Sequence, residues 1–273
     1  MNENLEEIEF TIFDTETTGL DPRSGDRIVE IAAIRIKGEE KIAEFQSLVN
    51  PQKAISEGAF RVNGITQEDL NGAPKPEEVF PRFMEFITGS CLCSYNAPFD
   101  LEFLENELKL LGKDLSGDIA VLDVLTMARK LLPGLERYAL SFVSKKLGIE
   151  TLQKHRAFSD VEITREVFKK LGVRLHNKGV TNFNGFLTLF GVGPHFLDNV
   201  INQKITRIQE AIDLGAKLKI KYFSTSGADV SEREVIPKEI RKDRSRSYLV
   251  GYCCLKEEER TFRIDGILHL EIV

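Results

Sequence analysis

The sequence predicts an α/β layered unit followed by a smaller β-rich unit, and two observations carry this expectation. In the first part of the chain, strand-like runs come first, and helical patterns then alternate with short apolar strands. After residue 172 the pattern changes to a Gly- and Phe-rich connector, an amphipathic helix and five short β-like runs. We therefore expect three segments, residues 1–172, 173–197 and 198–273.

The elements of the first segment follow from the spacing of apolar residues. Strands are predicted at residues 9–14, 27–37, 44–49 and 90–95. Helices are predicted where apolar residues recur with a 3.6-residue period, at residues 74–87, 98–111, 135–147 and 159–171. Ser159 and Glu162 have the spacing of a capping box, so the last helix is expected to begin there.

The composition excludes several classes of protein. A chain of 273 residues is long enough for two domains, and 29% charged with 42% hydrophobic residues is unlike a disordered or collagen-like chain. No apolar run approaches membrane-spanning length, and the N-terminus is acidic where a signal peptide is basic. The four cysteines form no CxxC pair, which argues against zinc and disulfides. We expect a soluble, cytoplasmic protein with no membrane partner.

The charge is unevenly divided along the chain. Residues 1–172 hold 21 basic and 30 acidic side chains, whereas residues 173–273 hold 16 basic and 13 acidic ones. The net charge of −6 argues mildly against a polyanionic partner for the chain as a whole. The asymmetry indicates two units with different roles, of which the second is better suited to phosphate contacts.

The first candidate for chemistry is the pair Asp14 and Glu16. Residues two apart on a strand point to one face, so these two carboxylates should converge at the end of an apolar strand. Carboxylates in such a place repel each other unless a cation lies between them. For this pair alone, two exposed turn acids remain an equally good interpretation.

Two further acids lie at predicted helix starts. Pro98 suits a first helical turn and would place Asp100 in it, and Asp160 lies just inside the last helix, with His155 on the loop before it. An acid in a first turn is also stabilised by the helix dipole without any function. Together, however, oxygen-rich ligands suit Mg²⁺ or Mn²⁺. Paired cations with a histidine base are a known device for phosphodiester hydrolysis.

The runs DTETTG, NAPFD and HRAFSD, in this order, resemble the three motifs of the DEDDh (DnaQ-like) 3′→5′ exonucleases. The likeness is greatest to the proofreading epsilon type and covers roughly residues 8–172. It implies an RNase H-like fold, a mixed sheet flanked by helices. By this resemblance Asp14, Glu16, Asp100 and Asp160 bind two Mg²⁺ or Mn²⁺ ions, and His155 is the general base.

The same resemblance implies contacts with the substrate. Thr15 would meet the 3′-terminal nucleotide through its backbone, and Ile65 and Phe99 would pack on its base and sugar. Two positions depart from the family pattern, because Asn63 and Tyr95 stand where the family often has histidine. Both lie outside the acidic set, so they bear on substrate preference and rate more than on catalysis.

The activity implied is removal of nucleoside monophosphates from DNA 3′ ends, with single-stranded DNA as the substrate and a polymerase or repair protein as a partner. Two alternatives stay open at this point. One is an RNA exonuclease or oligoribonuclease, since the motifs do not distinguish the two sugars. The other is a catalytically weak protein that only binds a 3′ end or senses a ligand.

Residues 211–273 resemble a WYL domain through the runs 231–237, 247–253 and 260–265. Ser247 stands where that family has its name-giving tryptophan. The resemblance implies a small SH3- or Sm-like β-barrel that binds a small ligand or a single-stranded oligonucleotide, with Arg233, Tyr248 and Arg263 as pocket candidates. The alternative is that the aromatic residues are barrel core and the basic run 241–246 is a solvated loop.

Overall fold

The computed structural model describes residues 5–115, 119–150, 155–224, 228–244 and 246–273, without the side chains of residues 194–200. The first sheet contains β1 (Glu9–Thr17), β2 (Ile28–Lys37), β3 (Glu40–Leu48), β4 (Cys91–Ser94), β5 (Val121–Asp123) and β6 (Gly191–Val192). The helices are α1 (Glu57–Asn63), α2 (Gln67–Asn71), α3 (Pro76–Ile87), α4 (Ala97–Leu110), α5 (Val124–Leu131), α6 (Leu140–Lys146), α7 (Ala157–Asn177), α8 (Phe183–Phe190) and α9 (Pro194–Leu214). The second sheet contains β7 (Leu218–Ser224), β8 (Asp229–Asp243), β9 (Arg246–Cys253), β10 (Glu258–Arg263) and β11 (Ile267–Ile272).

The first sheet is mixed, in the order β3-β2-β1-β4-β5-β6. β1 runs antiparallel to β2 and parallel to β4, and β5 continues the parallel part. The expectation of an α/β unit with a mixed sheet is confirmed. The central position of β1 brings its carboxyl end close to the starts of the helices that follow the other strands.

The two faces of this sheet carry separate apolar cores. Phe10 and Ile12 of β1 point to the face covered by α5, α7 and α8. Phe13 points to the opposite face, covered by α3 and α4. Because side chains alternate along a strand, Asp14 and Glu16 continue the row of Ile12, and Thr15 continues the row of Phe13.

Most predicted elements of the first segment are present, and the differences have tertiary causes. The helix expected over 135–147 is only α6, and α5 before it was not predicted. The capping box expected at Ser159 and Glu162 is wrong, because α7 begins at Ala157. The first helical N–H, that of Ala157, donates instead to the Glu30 carboxylate at 3.1 Å, so the cap comes from a neighbouring strand.

The segment expected as a connector contains regular structure. α7 continues beyond residue 172 to Asn177, and α8 lies within residues 173–197. Phe186 of α8 packs edge-on to Phe168 of α7, with ring centroids 6.5 Å apart, and to Phe190 at 6.0 Å. The phenylalanines of this segment therefore extend the core of the first unit.

The second sheet is antiparallel throughout, in the order β10-β9-β8-β7-β11. Its core combines Ile208 and Ala211 of α9 with strand residues such as Leu218 and Leu249. Phe223 of β7 is buried in the first unit's core, and Lys204 of α9 donates to the Ile267 carbonyl at 2.6 Å. Within the described part of the chain, no helix has the length and apolar character needed to cross a membrane.

Candidate active site

Two acidic side chains of β1 project from the face of the sheet that α7 covers. Asp14 and Glu16 are half-buried at the end of the strand, where the pairing with β2 shifts register. Asp160, in the first turn of α7, is only 6% exposed. Oxygen atoms of these three carboxylates lie within 4.8 Å of one another. The structure thus brings together three of the five residues that the sequence singled out for catalysis.

The fourth acid comes from the helix on the other face of β1. Asp100 lies in the first turn of α4 and is 3% exposed. Its Oδ1 accepts hydrogen bonds from Thr15 N at 3.0 Å and from Thr15 Oγ1 at 2.7 Å, and its Oδ2 accepts one from Ser94 Oγ. These bonds join α4 to β1 and β4, close enough for the Asp100 charge to act on Asp14 and Glu16.

The start of α4 is itself held by Asp123, which sequence reasoning missed. Asp123 is 4% exposed, and its Oδ1 accepts hydrogen bonds from the backbone N–H groups of Asn96 and Ala97, both at 3.1 Å. The same carboxylate caps the first turn of α5. Asn96 enters α4 with a left-handed φ of 74°. The available signal was an aspartate directly before an apolar helical pattern, which is typical of an N-cap.

The acidic cluster strongly disfavours its own ionisation. Burial raises the pKa of Glu16 to about 8, and the charges of Asp160 and Glu30 add to the rise. Burial also raises the pKa of Asp14 well above its usual range, followed in importance by the charge of Asp100. The strand carboxylates are therefore poorly compensated by the protein itself.

Asp100 is better compensated than its neighbours. Burial raises its pKa to about 6, but the hydrogen bonds from Ser94 and Thr15 favour the charged form and oppose the rise. Its place in the first turn of α4 adds the favourable end of the helix dipole. Asp100 is thus closer to a charged state at neutral pH than Glu16.

The donor set fits a hard divalent cation. Three carboxylates converge here, and oxygen ligands are those that Mg²⁺ and Mn²⁺ prefer. A cation would also relieve the repulsion that raises the pKa values. Asp14, Glu16 and Asp160 could hold one, and Asp100 supplies a further carboxylate beside them.

The histidine that the sequence singled out lies directly before α7, the helix that carries Asp160. His155 is exposed and immediately precedes Arg156, the N-cap of α7, so it is five residues before Asp160. Its φ of 48° is in the left-handed region, which is uncommon for a residue other than glycine.

The predicted substrate contacts have different surroundings. Thr15 uses its backbone N–H and its hydroxyl to hold Asp100. Ile65 is 2% exposed and packs inside a small cluster with Val29 and Leu70. Phe99 is half-buried against Phe103, with ring centroids 5.0 Å apart. Of the two apolar side chains, Phe99 is therefore the one that keeps an accessible surface.

The structure adds exposed apolar side chains that the sequence did not single out. Leu20, just after the first motif, is 83% exposed, and Phe60 and Val62 of α1 are 44% and 56% exposed. Asn63, at the end of α1, is buried and donates to the Thr17 carbonyl at 3.5 Å, so α1 is fixed to the end of β1. The exposure of these apolar side chains could not be predicted, because the sequence alone does not distinguish an exposed leucine in a loop from a buried one.

The candidates in the second sheet are divided between two places. Tyr248 pairs with Arg263 across β9 and β10, whereas Arg233 pairs with Ile220 near the start of β8. Arg263 is ion-paired to Asp265, to which its Nε and Nη2 both donate. The pairing makes Tyr248 and Arg263 direct neighbours and places Arg233 beside a different strand.

A cavity of about 250 Å³ lies between α9 and the β8–β9 hairpin. Its lining includes three basic side chains, Lys242, Arg244 and Arg246, with Asn202 and Asp265. Since Asp265 is already paired with an arginine outside this lining, the cavity carries an excess of positive charge.

Comparison with known protein families gives two matches. The family model described as Exonuclease matches residues 11–168, and the WYL domain model matches residues 203–272. The first match covers the strands and helices that carry all four acids. The second covers most of α9 and the antiparallel sheet.

Curated relatives match over much of the chain. The DNA polymerase III subunit epsilon-like protein of Rhodobacter capsulatus is 39% identical over 188 residues, 67% of this chain and 26% of the relative. A DNA polymerase III PolC-type protein of Clostridium perfringens is 32% identical over 255 residues, 90% of this chain and 17% of the relative. The chain spans about a quarter or less of the length of these relatives.

Solved structures share the fold. Exonuclease X, in complex with 5′ overhanging duplex DNA, matches with a TM-score of 0.50 and 27% identity, over 63% of this chain and 95% of that one. Exonuclease I without ligand matches with a TM-score of 0.57 and 19% identity, over 95% of this chain and 63% of that one. With the mixed sheet and its helices, these matches confirm the RNase H-like α/β fold expected for the first segment.

Proposed function

The chain belongs to the exonuclease family, and we propose that it hydrolyses phosphodiester bonds at DNA 3′ ends and releases nucleoside monophosphates in the 3′→5′ direction. The observation that carries the proposal is the convergence of Asp14, Glu16 and Asp160, with Asp100 bonded to the same strand end. Burial and the neighbouring acids raise the pKa of Asp14 and of Glu16, a cost that a structural role does not explain, whereas a metal-dependent hydrolase needs these carboxylates.

We propose that the cofactors are two divalent cations, Mg²⁺ or Mn²⁺, held by Asp14, Glu16, Asp100 and Asp160. Bound there, such ions lower the pKa of a water molecule and neutralise charge on the phosphate. The protein's own part is to fix the acids. Thr15 orients Asp100, and the first turn of α7 presents Asp160.

We propose His155 as the general base. An imidazole can accept a proton near neutral pH, and the exposed place of His155 before α7 leaves its ring free to reach an incoming 3′ end. Phe99 keeps the accessible surface needed to pack on a terminal nucleotide. Leu20 and Val62 are further candidates for base contacts because they expose apolar surface next to the acids' strand.

We propose DNA rather than RNA as the substrate, and a polymerase or repair protein as the partner. Both proposals rest on relatives whose names place them in DNA polymerase III, and on a structural neighbour that was solved with duplex DNA. Single-stranded DNA is the form of substrate that we propose, because a terminal nucleotide must separate from any partner strand to reach carboxylates as buried as Asp100 and Asp160.

The second sheet is proposed to be a WYL-like barrel that binds nucleic acid or a regulatory ligand. β8 pairs with β7 through its first half and with β9 through its second half, with a register shift between Pro237 and Glu239. Such a bend lets a sheet curl towards closure. The cavity lined by Lys242, Arg244 and Arg246 is a better anion site than Arg233, which lies elsewhere on β8.

We propose that the chain is divided into three units that act separately, residues 1–172, 173–197 and 198–273. α8 packs with the core of the first unit, so a fragment that ends at residue 172 would lose that contact and cut α7 short. Experiments on the proposed function should therefore use the full chain.

The test is an incubation of the full chain with 5′-labelled single-stranded DNA or a matched RNA, in Mg²⁺, Mn²⁺ or EDTA, resolved by length over time. We expect a metal-dependent ladder that shortens from the 3′ end, faster on DNA. His155→Ala should lower turnover by about 10²–10⁴-fold, and Asp14→Ala at least as much. His176→Ala, on the exposed end of α7, is the matched control and should leave turnover unchanged. The absence of shortening with either metal would contradict the proposal.

A further inference from the structure

We propose that the ion pair between Glu30 of β2 and Arg156 positions His155 for its role as base, an inference that rests on the proposed function. Glu30 and Arg156 are thus positioning residues and touch no substrate. The charge of Glu30 also raises the pKa of Glu16, so the variants are compared at saturating Mg²⁺. Under that condition, the effect of the pair on kcat should pass through His155. It should disappear when His155 is removed.

The Glu30 side chain is fully buried. Three of the four hydrogen bonds that its carboxylate accepts come from residues at the start of α7. It accepts hydrogen bonds from Arg156 Nε and Nη2, both at 2.9 Å, and from the backbone N–H of Ala157 at 3.1 Å. A fourth bond comes from Gln46 Nε2 at 3.1 Å. A carboxylate has about four acceptor sites, so this one is fully used. The contacts span 126 residues of sequence and define where α7 begins.

This arrangement replaces a conventional helix cap. Arg156 is the N-cap residue of α7 and makes no side-chain cap of its own. Instead, both its guanidinium and the first helical N–H are held by Glu30. The position of Arg156 is therefore fixed by Glu30 of β2. His155 is the residue directly before Arg156 in the chain.

His155 has a backbone conformation that needs such support. Its φ of 48° is left-handed, a region that is unfavourable for a residue other than glycine. Conformations of this kind persist only where the surroundings impose them. Neighbouring Cα atoms are about 3.8 Å apart, so a shift of Arg156 moves His155 directly.

The alternative is that the pair only stabilises the fold, and the chain contains a matched control for that. Glu107 of α4 is 1% exposed and accepts hydrogen bonds from Arg27 Nε at 2.8 Å, Arg27 Nη2 at 2.7 Å and the Ile28 backbone N–H at 3.0 Å. It has the same construction, a two-pronged arginine plus one backbone amide. It holds the start of β2 rather than the loop of His155.

The experiment compares Glu30→Gln with Glu107→Gln in the full chain, each with and without His155→Ala. Both single variants should lose thermal stability to a similar degree. Glu30→Gln should also lower kcat by about 10–100-fold with KM within about threefold, because small misplacements of a catalytic group are costly. Glu107→Gln should keep kcat within about threefold. In the His155→Ala background, Glu30→Gln should have almost no further effect on kcat.

A second readout does not need activity. The ring resonances of His155 are identified by their loss in His155→Ala, and they should shift or broaden in Glu30→Gln but stay in place in Glu107→Gln. Arg156→Lys, which keeps the charge but loses the two-pronged contact, should reproduce both effects if Glu30→Gln fails to fold.

The outcomes separate the two proposals. A wild-type protein without metal-dependent shortening contradicts the proposed function, and the His155 resonances then still decide the positioning role. An active wild type in which Glu30→Gln slows the His155→Ala variant as much as the parent overturns the inference. Unmoved His155 resonances in both Glu30→Gln and Arg156→Lys overturn it as well.

Discussion

Replacing Glu16 by glutamine should stabilise the protein at pH 8 when divalent metal is removed. Burial raises the pKa of Glu16 from its usual 4.5 to about 8 in the folded chain. In the unfolded chain this proton leaves near the usual value. The folded state therefore holds the proton more tightly, and metal-free stability falls as pH rises from about 4.5 to about 8. Glutamine keeps the shape of the side chain and removes this loss.

The size of the effect follows from the shift. About 3.5 pH units at 1.36 kcal/mol each set an upper limit of about 5 kcal/mol. Glu16 is half-buried at the end of a strand, so solvent screening reduces this figure. We expect about 1–3 kcal/mol at pH 8, which is about 2–10 °C in Tm for a chain of this size. The difference should shrink towards pH 5.

The assay is denaturation of wild type and Glu16→Gln in EDTA at several pH values between 5 and 8, repeated with Mg²⁺ or Mn²⁺. Metal should stabilise the wild type at pH 8 and stabilise Glu16→Gln less, since a ligand has been removed. Glu85→Gln, an exposed glutamate of α3, is the control and should change neither profile. If Glu16→Gln is no more stable than wild type in EDTA at pH 8, the electrostatic account of the cluster is refuted.

Three other changes test the supports of the site and the second sheet. Asp123→Ala should lose about 2–4 kcal/mol in urea denaturation and slow turnover, because it removes a cap and leaves two backbone N–H groups at the start of α4 without their acceptor. Thr15→Val keeps the backbone bond to Asp100 but loses the hydroxyl bond, so the Mg²⁺ concentration at half-maximal rate should rise several-fold. The double variant Lys242→Gln/Arg246→Gln should bind single-stranded DNA more weakly. The slope of the logarithm of its binding constant against the logarithm of salt concentration should fall by about 0.7 per lost phosphate contact. An unchanged slope would place the phosphate contacts elsewhere.

The layered fold was predictable because its long elements have strong periodicity. β1, β2 and α4 were expected nearly where they occur, since a row of apolar residues on one face specifies both the element and its orientation. The short helices α5 and α6 were missed or misplaced, because fewer than three turns give too few apolar positions to establish a period. Their existence depends on tertiary packing and on caps such as Asp123.

The acids of the site were predictable, but the groups that hold them were not. Asp14 and Glu16 share a face of one strand, and that follows from local geometry. The bonds from Glu30 to Arg156 join residues far apart in sequence, and no local pattern reveals them. Ile65 was expected at the substrate and is only 2% exposed, packed with Val29 and Leu70, and its contact with a terminal base stays a prediction.

The four acids divide into two pairs according to how the protein compensates their charge. Asp100 and Asp160 lie in first turns of helices, where the helix dipole favours a negative group, and Asp100 also accepts three hydrogen bonds. Asp14 and Glu16 are strand residues without a helix start behind them. Asp100 is the more deeply buried, yet its pKa rises only to about 6, against about 8 for Glu16. The protein therefore compensates Asp100 itself and leaves the strand pair to the cations that we propose, which is why removal of a strand acid should stabilise the metal-free chain.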